Sequence, residues 1–381
     1  MRTDDLDYPF DHTLIAKAPA EPRDAARLLV YHRISDRLEE RQVRDLPEYL
    51  GAGDALVVNE TTVAPARIKA ERQREGEGPR AQIEGLLLER RGPRTWFALL
   101  RNTKRVKEGE RLRLIGPHEG APSPEGAGLR FLGREGEGSL VEVEGGGSAD
   151  EVLEALGWTP LPPYILRARG DGDADGREDD ADRRRYQTVF AAPTDAPSVA
   201  APTAGLHFTG ELFQALAARG VERIPISLQV GAGTFKPVET ERLEDHPMHT
   251  ERCRVAPQAI ALLQAARARA ARRAGRTIAV GTTAVRTLES MPSDALDREP
   301  PTHPLEWSTN ILIAPGHRFR LVDALLTNFH LPRSTLLALV AAFLTDGDTS
   351  ADGLATIKRL YAFAIARRYR FYSYGDAMLI L

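Results

Sequence analysis

TIAVGTTAVRTLES, residues 277–290, reads as a short buried strand that passes through one glycine straight into a helix. The strand ends at Gly281, and Thr282 and Thr283 stand where the first helical turn begins. The first amides of a helix have no partner inside it, so this junction offers donors and a favourable dipole to an anion. Arg286 falls one turn further in, which makes the junction a candidate carboxylate or phosphate cradle.

The alternation continues on both sides. Upstream, Thr209 can cap the helix GELFQALAAR, which Gly220 is placed to end. IPISLQV (224–230) is an expected strand, and PQAIALLQAARARAARRAG (257–275) a helix with Pro257 near its first turn. Downstream, ILIA (311–314) reads as a strand, and PRSTLLALVAAFL (332–344) and LATIKRLYAFAIARRY (354–369) as helices. Near the start, DALVVNE (54–60) is a short buried strand that ends in polar residues. Strands alternating with helices predict an α/β main domain.

Between 66 and 147 the texture changes. AQIEGLLLE (81–89), TWFALL (95–100), RLRLI (111–115), LRFLG (129–133) and SLVEVEG (139–145) are short β-forming runs separated by glycine, proline and charge. They predict a small antiparallel β-barrel. Ser148 and Glu151 then form a capping-box pattern that restarts helix. The expected organisation is an α/β catalytic domain of residues 1–65 plus 148–381, with the barrel of residues 66–147 inserted in it.

Composition narrows the class. At 381 residues, with 42% hydrophobic and 28% charged residues, the chain has an ordinary soluble make-up and needs no covalent staple. Its single cysteine, Cys253, rules out an internal disulfide and any multi-cysteine zinc site. The acidic N-terminus lacks the apolar run of a signal peptide. The longest apolar run, LLALVAAFL (336–344), is far short of the about 20 residues a membrane helix needs. A cytoplasmic location and no membrane association are expected. The net charge of −3 supplies no basic field for nucleic acid. Only six of the 51 basic residues are lysine, so arginine runs such as RARAARR (267–273) reflect composition and read as a solvated helix face.

Several motifs weaken on inspection. Asp171, Asp173 and Asp175 with Gly176 imitate a calcium loop, but Asp182 stands where a bidentate glutamate belongs and Glu178 where an apolar residue belongs. An acidic surface loop is the reading. Gly231 and Gly233 follow a strand, yet Lys236 replaces the third glycine of a dinucleotide fingerprint, leaving a tight turn with close backbone approach. His246 and His249 are three apart with Glu251 nearby, but Pro247 spoils the helix that would aim both at one metal. No metal is expected, and acid–base or hydrogen-bonding work by a histidine is the better reading.

Three segments remain. SVAAPTAGLHFT (198–209) gathers small residues around a turn that delivers Thr203, Gly205 and His207 to a helix start. LVDALLTNFHLPRSTLL (321–337) carries Asp323, Asn328 and His330. YRFYSYGDAMLIL (369–381) places Tyr372, Tyr374 and Asp376 between apolar flanks, as in a ligand crevice.

Taken together, these segments resemble the S-adenosylmethionine:tRNA ribosyltransferase-isomerase family of queuosine synthesis. The matching stretches include DYPFDHTLIAKAPAEPRDAARLLV (7–30), GDALVVNETTVAPAR (53–67), LPPYILR (161–167), RYQTVFA (185–191), VGAGTFKPV (230–238), HPMHTE (246–251) and YRFYSYGDAML (369–379), together with the segments around 203, 281 and 328. They follow the family order and cover nearly the whole chain, least well in the barrel.

The resemblance implies transfer and isomerisation of the ribosyl part of S-adenosylmethionine onto 7-aminomethyl-7-deazaguanine at the wobble position of tRNA with a GUN anticodon. Epoxyqueuosine forms, and adenine and methionine leave. S-adenosylmethionine is a consumed cosubstrate, no bound cofactor is implied, and a monomer is expected. The sulfonium acidifies the neighbouring ribose carbon, so a general base is needed, with His207, His249 and His330 as candidates. Asp323, Asp376 or a histidine could assist the departure of adenine. Substrate contacts are expected from Asn59, Thr203, Gly205, Gly231, Gly233, Thr282, Thr283, Arg286, Asn328 and Tyr374. The attacking amine belongs to the RNA, which accounts for the lack of a serine or cysteine nucleophile. The chain departs from the family pattern at Glu60, Thr62, Arg185, Gln229, Ala284 and Asn310; Gln229 stands where a histidine is usual. Two rival readings are a diverged paralogue that binds a nucleoside or RNA without this chemistry, and a methyltransferase using the same cosubstrate.

Overall fold

The computed structural model describes residues 1–72, 82–118, 124–170, 178–193, 197–231, 238–345 and 352–381. Contacts divide the chain into two compact units. The first comprises Met1–Thr61, Thr188–Ala192 and Pro202–Leu381, and the second Thr62–Gln187 and Pro193–Ala201.

The first unit is built on a nine-stranded mixed sheet. Its strands are β1 (Arg27–His32), β2 (Arg37–Gln42), β3 (Ala55–Asn59), β10 (Glu222–Gln229), β11 (Glu251–Val255), β12 (Thr277–Val280), β13 (Leu305–Thr309), β14 (Ala324–Asn328) and β15 (Ala377–Ile380). The order is β13-β11-β10-β3-β12-β14-β15-β1-β2. The centre, β10, β3, β12 and β14, is parallel, while β11 and β15 run antiparallel against its two flanks. All five residues of β3 and β14 and all four of β12 and β15 are buried, as expected of strands covered on both faces. The parallel strands therefore deliver their C-terminal ends, Asn59, Gly281 and Asn328, to one edge. The antiparallel β15 and β1 deliver their starts, Asp376 and Arg27, to that same edge.

Helices α4 (Gly210–Ala218), α5 (Pro257–Ala271), α6 (Thr282–Ser290), α7 (Thr335–Leu344) and α8 (Gly353–Ala366) belong to this unit. Thr209 and Ser334 cap α4 and α7 by accepting from Leu212 and Leu337 amides. The apolar run at 336–344 is buried inside α7. No described helix is long and apolar enough to cross a membrane. On α5, Arg267 and Arg269 are tied to Asp297 and Glu222.

One strand differs from expectation. Residues 311–314 are not a strand; the neighbouring strand is LEWST, β13. It pairs with β11 from Leu305↔Val255 to Glu251↔Thr309, and Trp307 donates to Ser290 Oγ of α6 at 3.1 Å. After the strand the Thr309 hydroxyl accepts the Ile311 amide, and the apolar run beyond pairs with no strand among the described residues.

The second unit contains the expected barrel. β4 (Arg67–Arg72), β5 (Gln82–Arg90), β6 (Thr95–Leu100), β7 (Arg111–Leu114), β8 (Gly128–Glu135) and β9 (Gly138–Glu144) close in the order β4-β5-β6-β9-β8-β7. The α/β fold with an antiparallel barrel is thus the observed class. The unit also takes in α1 (Ala149–Leu156), α2 (Pro163–Arg169) and α3 (Asp179–Arg185), because Trp158 exchanges both backbone hydrogen bonds with Arg67 and its indole donates to Ile115. Ser148 and Glu151 cap α1 reciprocally. Asp171, Asp173, Asp175 and Gly176 lie outside the described residues. Asp182 is held by both guanidinium nitrogens of Arg169, at 2.6 and 2.8 Å.

Candidate active site

The turn Thr203–His207 is a single 3-10 segment, and it needs its small residues. A Cβ on Gly205 would come within 2.6 Å of Phe190 Cζ and 3.0 Å of Thr188 Cγ2. Gly281 has φ +83°, a conformation side chains avoid, and a Cβ there would lie 3.3 Å from Ala204 Cβ. The turn therefore rests directly on the start of α6.

From this turn His207 meets Asn328 at the end of β14. Asn328 Nδ2 donates to the Tyr372 carbonyl at 3.2 Å and lies 3.2 Å from His207 Nε2. Thr203 Oγ1 donates to Asn328 Oδ1 at 2.9 Å. The carbonyl, which can only accept, assigns the orientation of the amide. The second amide hydrogen then points at Nε2, so Nε2 accepts and the neutral ring carries its proton on Nδ1. Burial pushes the His207 pKa down to about 3, with Arg370 and Arg23 adding positive charge nearby.

His330 is two residues along. Its Nε2 lies 2.8 Å from Thr327 Oγ1, its amide donates to Tyr361 Oη at 2.8 Å, and its carbonyl accepts from Tyr8. Burial brings its pKa down to about 4. Next to it in the chain, Phe329 packs against Tyr361 and Phe371, and Phe10 packs against Phe371 and Tyr372.

Other expected site residues have structural partners. Asp376 is buried and accepts from the Arg370 and Arg27 amides and from the Arg370 side chain, so it locks the entry to β15. Asn59 bridges β3 and β10 through the amide and carbonyl of Leu228. Arg286 does not reach for a ligand with a free guanidinium: its Nη1 lies 2.6 Å from Glu251, and both side chains are buried. Burial raises the Glu251 pKa, against the pull of Arg286 and the Gly231 amide. Cys253, beside them, is buried and its thiol is pushed up to about 12. Tyr374, two residues before Asp376, is buried as well.

Two candidates are not brought in. Asp323 precedes β14 and is exposed, bound to the Thr277 amide at the opposite edge of the sheet. At about 3.3 Å per residue, the strand separates it from Asn328 by about 16 Å. His249 is exposed before β11. Gly233 lies outside the described residues. Among the described residues no three His, Cys, Asp or Glu side chains gather as a metal site. Sequence reasoning overlooked Glu251 as the partner of Arg286, and the positive charge of Arg370 and Arg23 that helps keep His207 neutral, because these pairings join distant segments.

Residues 3–380 match the family model described as Queuosine biosynthesis protein. The chain belongs to this family. It is 45% identical over 386 residues to an S-adenosylmethionine:tRNA ribosyltransferase-isomerase of Symbiobacterium thermophilum, covering all of both chains. To the relative of the same name from Mesorhizobium japonicum it is 47% identical, over all of this chain and 98% of the other. A crystal structure of S-adenosylmethionine tRNA ribosyltransferase from Thermotoga maritima aligns over 99% of this chain and all of that one, at 34% identity and a TM-score of 0.49.

In this member of the queuosine biosynthesis family, four of the positions expected to depart from the family pattern lie in the first unit. Ala284 is fully buried in the first turn of α6, and Gln229 ends β10 opposite Arg252. Glu60 follows Asn59, and burial raises its carboxyl pKa. Asn310 is exposed just after β13.

Proposed function

We propose that this chain is an S-adenosylmethionine:tRNA ribosyltransferase-isomerase. It transfers and isomerises the ribosyl part of S-adenosylmethionine onto 7-aminomethyl-7-deazaguanine at the wobble position of tRNAs with a GUN anticodon, releasing adenine and methionine. The cosubstrate is consumed, no bound cofactor takes part, and the enzyme works as a cytoplasmic monomer.

The observation that carries the reading is the convergence of His207, Asn328 and Thr203 with the start of α6 at the C-terminal ends of the parallel strands, the usual ligand edge of such sheets. Family membership supplies the reaction class. Among the three histidines weighed as base, His249 stands in solvent, while His207 and His330 are buried and neutral at neutral pH. With Nε2 occupied by Asn328, His207 presents Nδ1–H. We assign it a neutral hydrogen bond to the group that gains negative charge as bonds break, the role in which preorganised donors are most effective.

The test is to supply the purified protein with S-adenosylmethionine and tRNA carrying the deazaguanine base. Free adenine and methionine are expected. S-adenosylhomocysteine would instead mark a methyltransferase, and binding with neither product a diverged paralogue.

A further inference from the structure

α6 begins without a cap. Gly281, its N-cap, has no side chain to offer, and no side-chain cap bond is formed. The Gly281 amide is spent on the Leu326 carbonyl at 2.7 Å, and the first helical bond comes from Val285 to the Gly281 carbonyl. The amides of Thr282, Thr283 and Ala284 thus lack an intrahelical acceptor. All three residues are buried, at 7%, 9% and 0% exposure. A buried, uncapped helix start in a nine-residue helix is costly unless a ligand completes it.

An independent observation points the same way. Thr283 Oγ1 is buried and has no hydrogen-bond partner among the described residues. It lies 3.8 Å from the place where a Gly281 Cβ would be, which aims it back over the helix start, into the space that the missing side chain leaves. Arg286, one turn deeper, is paired with the Glu251 carboxylate, so its charge is balanced within the protein. The open donors are three amides and one hydroxyl, and Ala204 of the His207 turn lies against Gly281 beside them.

We infer that the start of α6, with Thr283 Oγ1, binds the carboxylate of the amino-acid end of S-adenosylmethionine. A planar pair of oxygens can take adjacent amides and a hydroxyl together, and a helix start buried this deeply suits a small carboxylate better than an RNA backbone phosphate. This rests on the proposed function, and places the methionyl end of the cosubstrate at α6 and its reacting carbons toward His207.

The test compares equilibrium binding of S-adenosylmethionine and of its decarboxylated analogue, which keeps the adenosyl sulfonium, to wild type, Thr283→Val and Thr283→Ser. Wild type should prefer the carboxylate ligand by about tenfold to a hundredfold, the scale of lost hydrogen bonds to a charged group. Thr283→Val should erase most of that preference while leaving the analogue's affinity unchanged, which also reports an intact fold, and Thr283→Ser should restore it. Equal affinity of wild type for the two ligands overturns the proposal. So does a Thr283→Val effect confined to tRNA affinity and its salt dependence, which would assign the site to a phosphate. If wild type binds S-adenosylmethionine and releases adenine without this preference, the carboxylate site fails alone; if it neither binds nor releases, the function fails with it.

Discussion

Asn328 Nδ2 stands 3.2 Å from His207 Nε2, and this one contact decides which nitrogen of a buried histidine carries the proton. Because the same amide nitrogen donates to the Tyr372 carbonyl, its orientation is not free to reverse. The histidine is therefore held neutral, with Nδ1–H available.

Asn328→Asp should reverse that state. A carboxylate only accepts, so it demands a proton on Nε2 and stabilises the imidazolium. The ring's ¹⁵N shifts should move from the Nδ1–H to the Nε2–H pattern, and the His207 pKa should rise from about 3. Unchanged shifts in the variant would contradict the assignment.

His207→Ala should lower turnover at least about a hundredfold, on the scale of a lost preorganised donor or acid–base group. Single-turnover adenine release is the measurement, and a near-wild-type rate would remove His207 from the mechanism.

Acid should destabilise the fold through the two buried histidines. Their folded pKa values, about 3 for His207 and about 4 for His330, lie below the unfolded value of about 6.5. The unfolded chain binds protons that the folded chain refuses, so this stability is complete above pH about 6.5 and is lost as pH falls toward the folded values. Each contributes about 1.4 kcal/mol per pH unit within that window. Urea denaturation at pH 7, 6 and 5 should show the decline, with a shallower slope in His330→Gln.

Arg286→Met should cost about 3–5 kcal/mol, since it strands the buried Glu251 carboxylate. The double variant with Glu251→Gln should recover a large part of it. Additive losses in chemical denaturation would show that the two side chains act independently.

Gly205→Ala should destabilise by about 1–3 kcal/mol through overpacking against Phe190 and Thr188. A lower Tm together with slower adenine release is expected; an unchanged Tm would mean that the turn yields without cost.

The local pattern by itself determined a good deal of this molecule. Short β-forming runs between turn residues marked five of the six barrel strands, Ser148 and Glu151 marked the start of α1, and TIAVG followed by two threonines marked the strand-to-helix junction. These features depend on neighbours along the chain, where side-chain period and capping chemistry act directly. The sixth, β4, alternates in burial but is rich in charge, and its RIKAER lacks the run of β-formers that marks the others. Tertiary structure alone decided the site. Asp323 and Asn328 sit five residues apart in one motif, yet strand direction sends them to opposite edges of the sheet. Arg286 carries the charge an anion would want, but the fold spends it on Glu251, which arrives from β11. His207 and Asn328 are 121 residues apart, and only the placing of β14 beside β12, with the Thr203–His207 turn laid over Gly281, brings them together. Pairings of that kind follow from sheet order and burial, which have no signature in any short stretch of sequence.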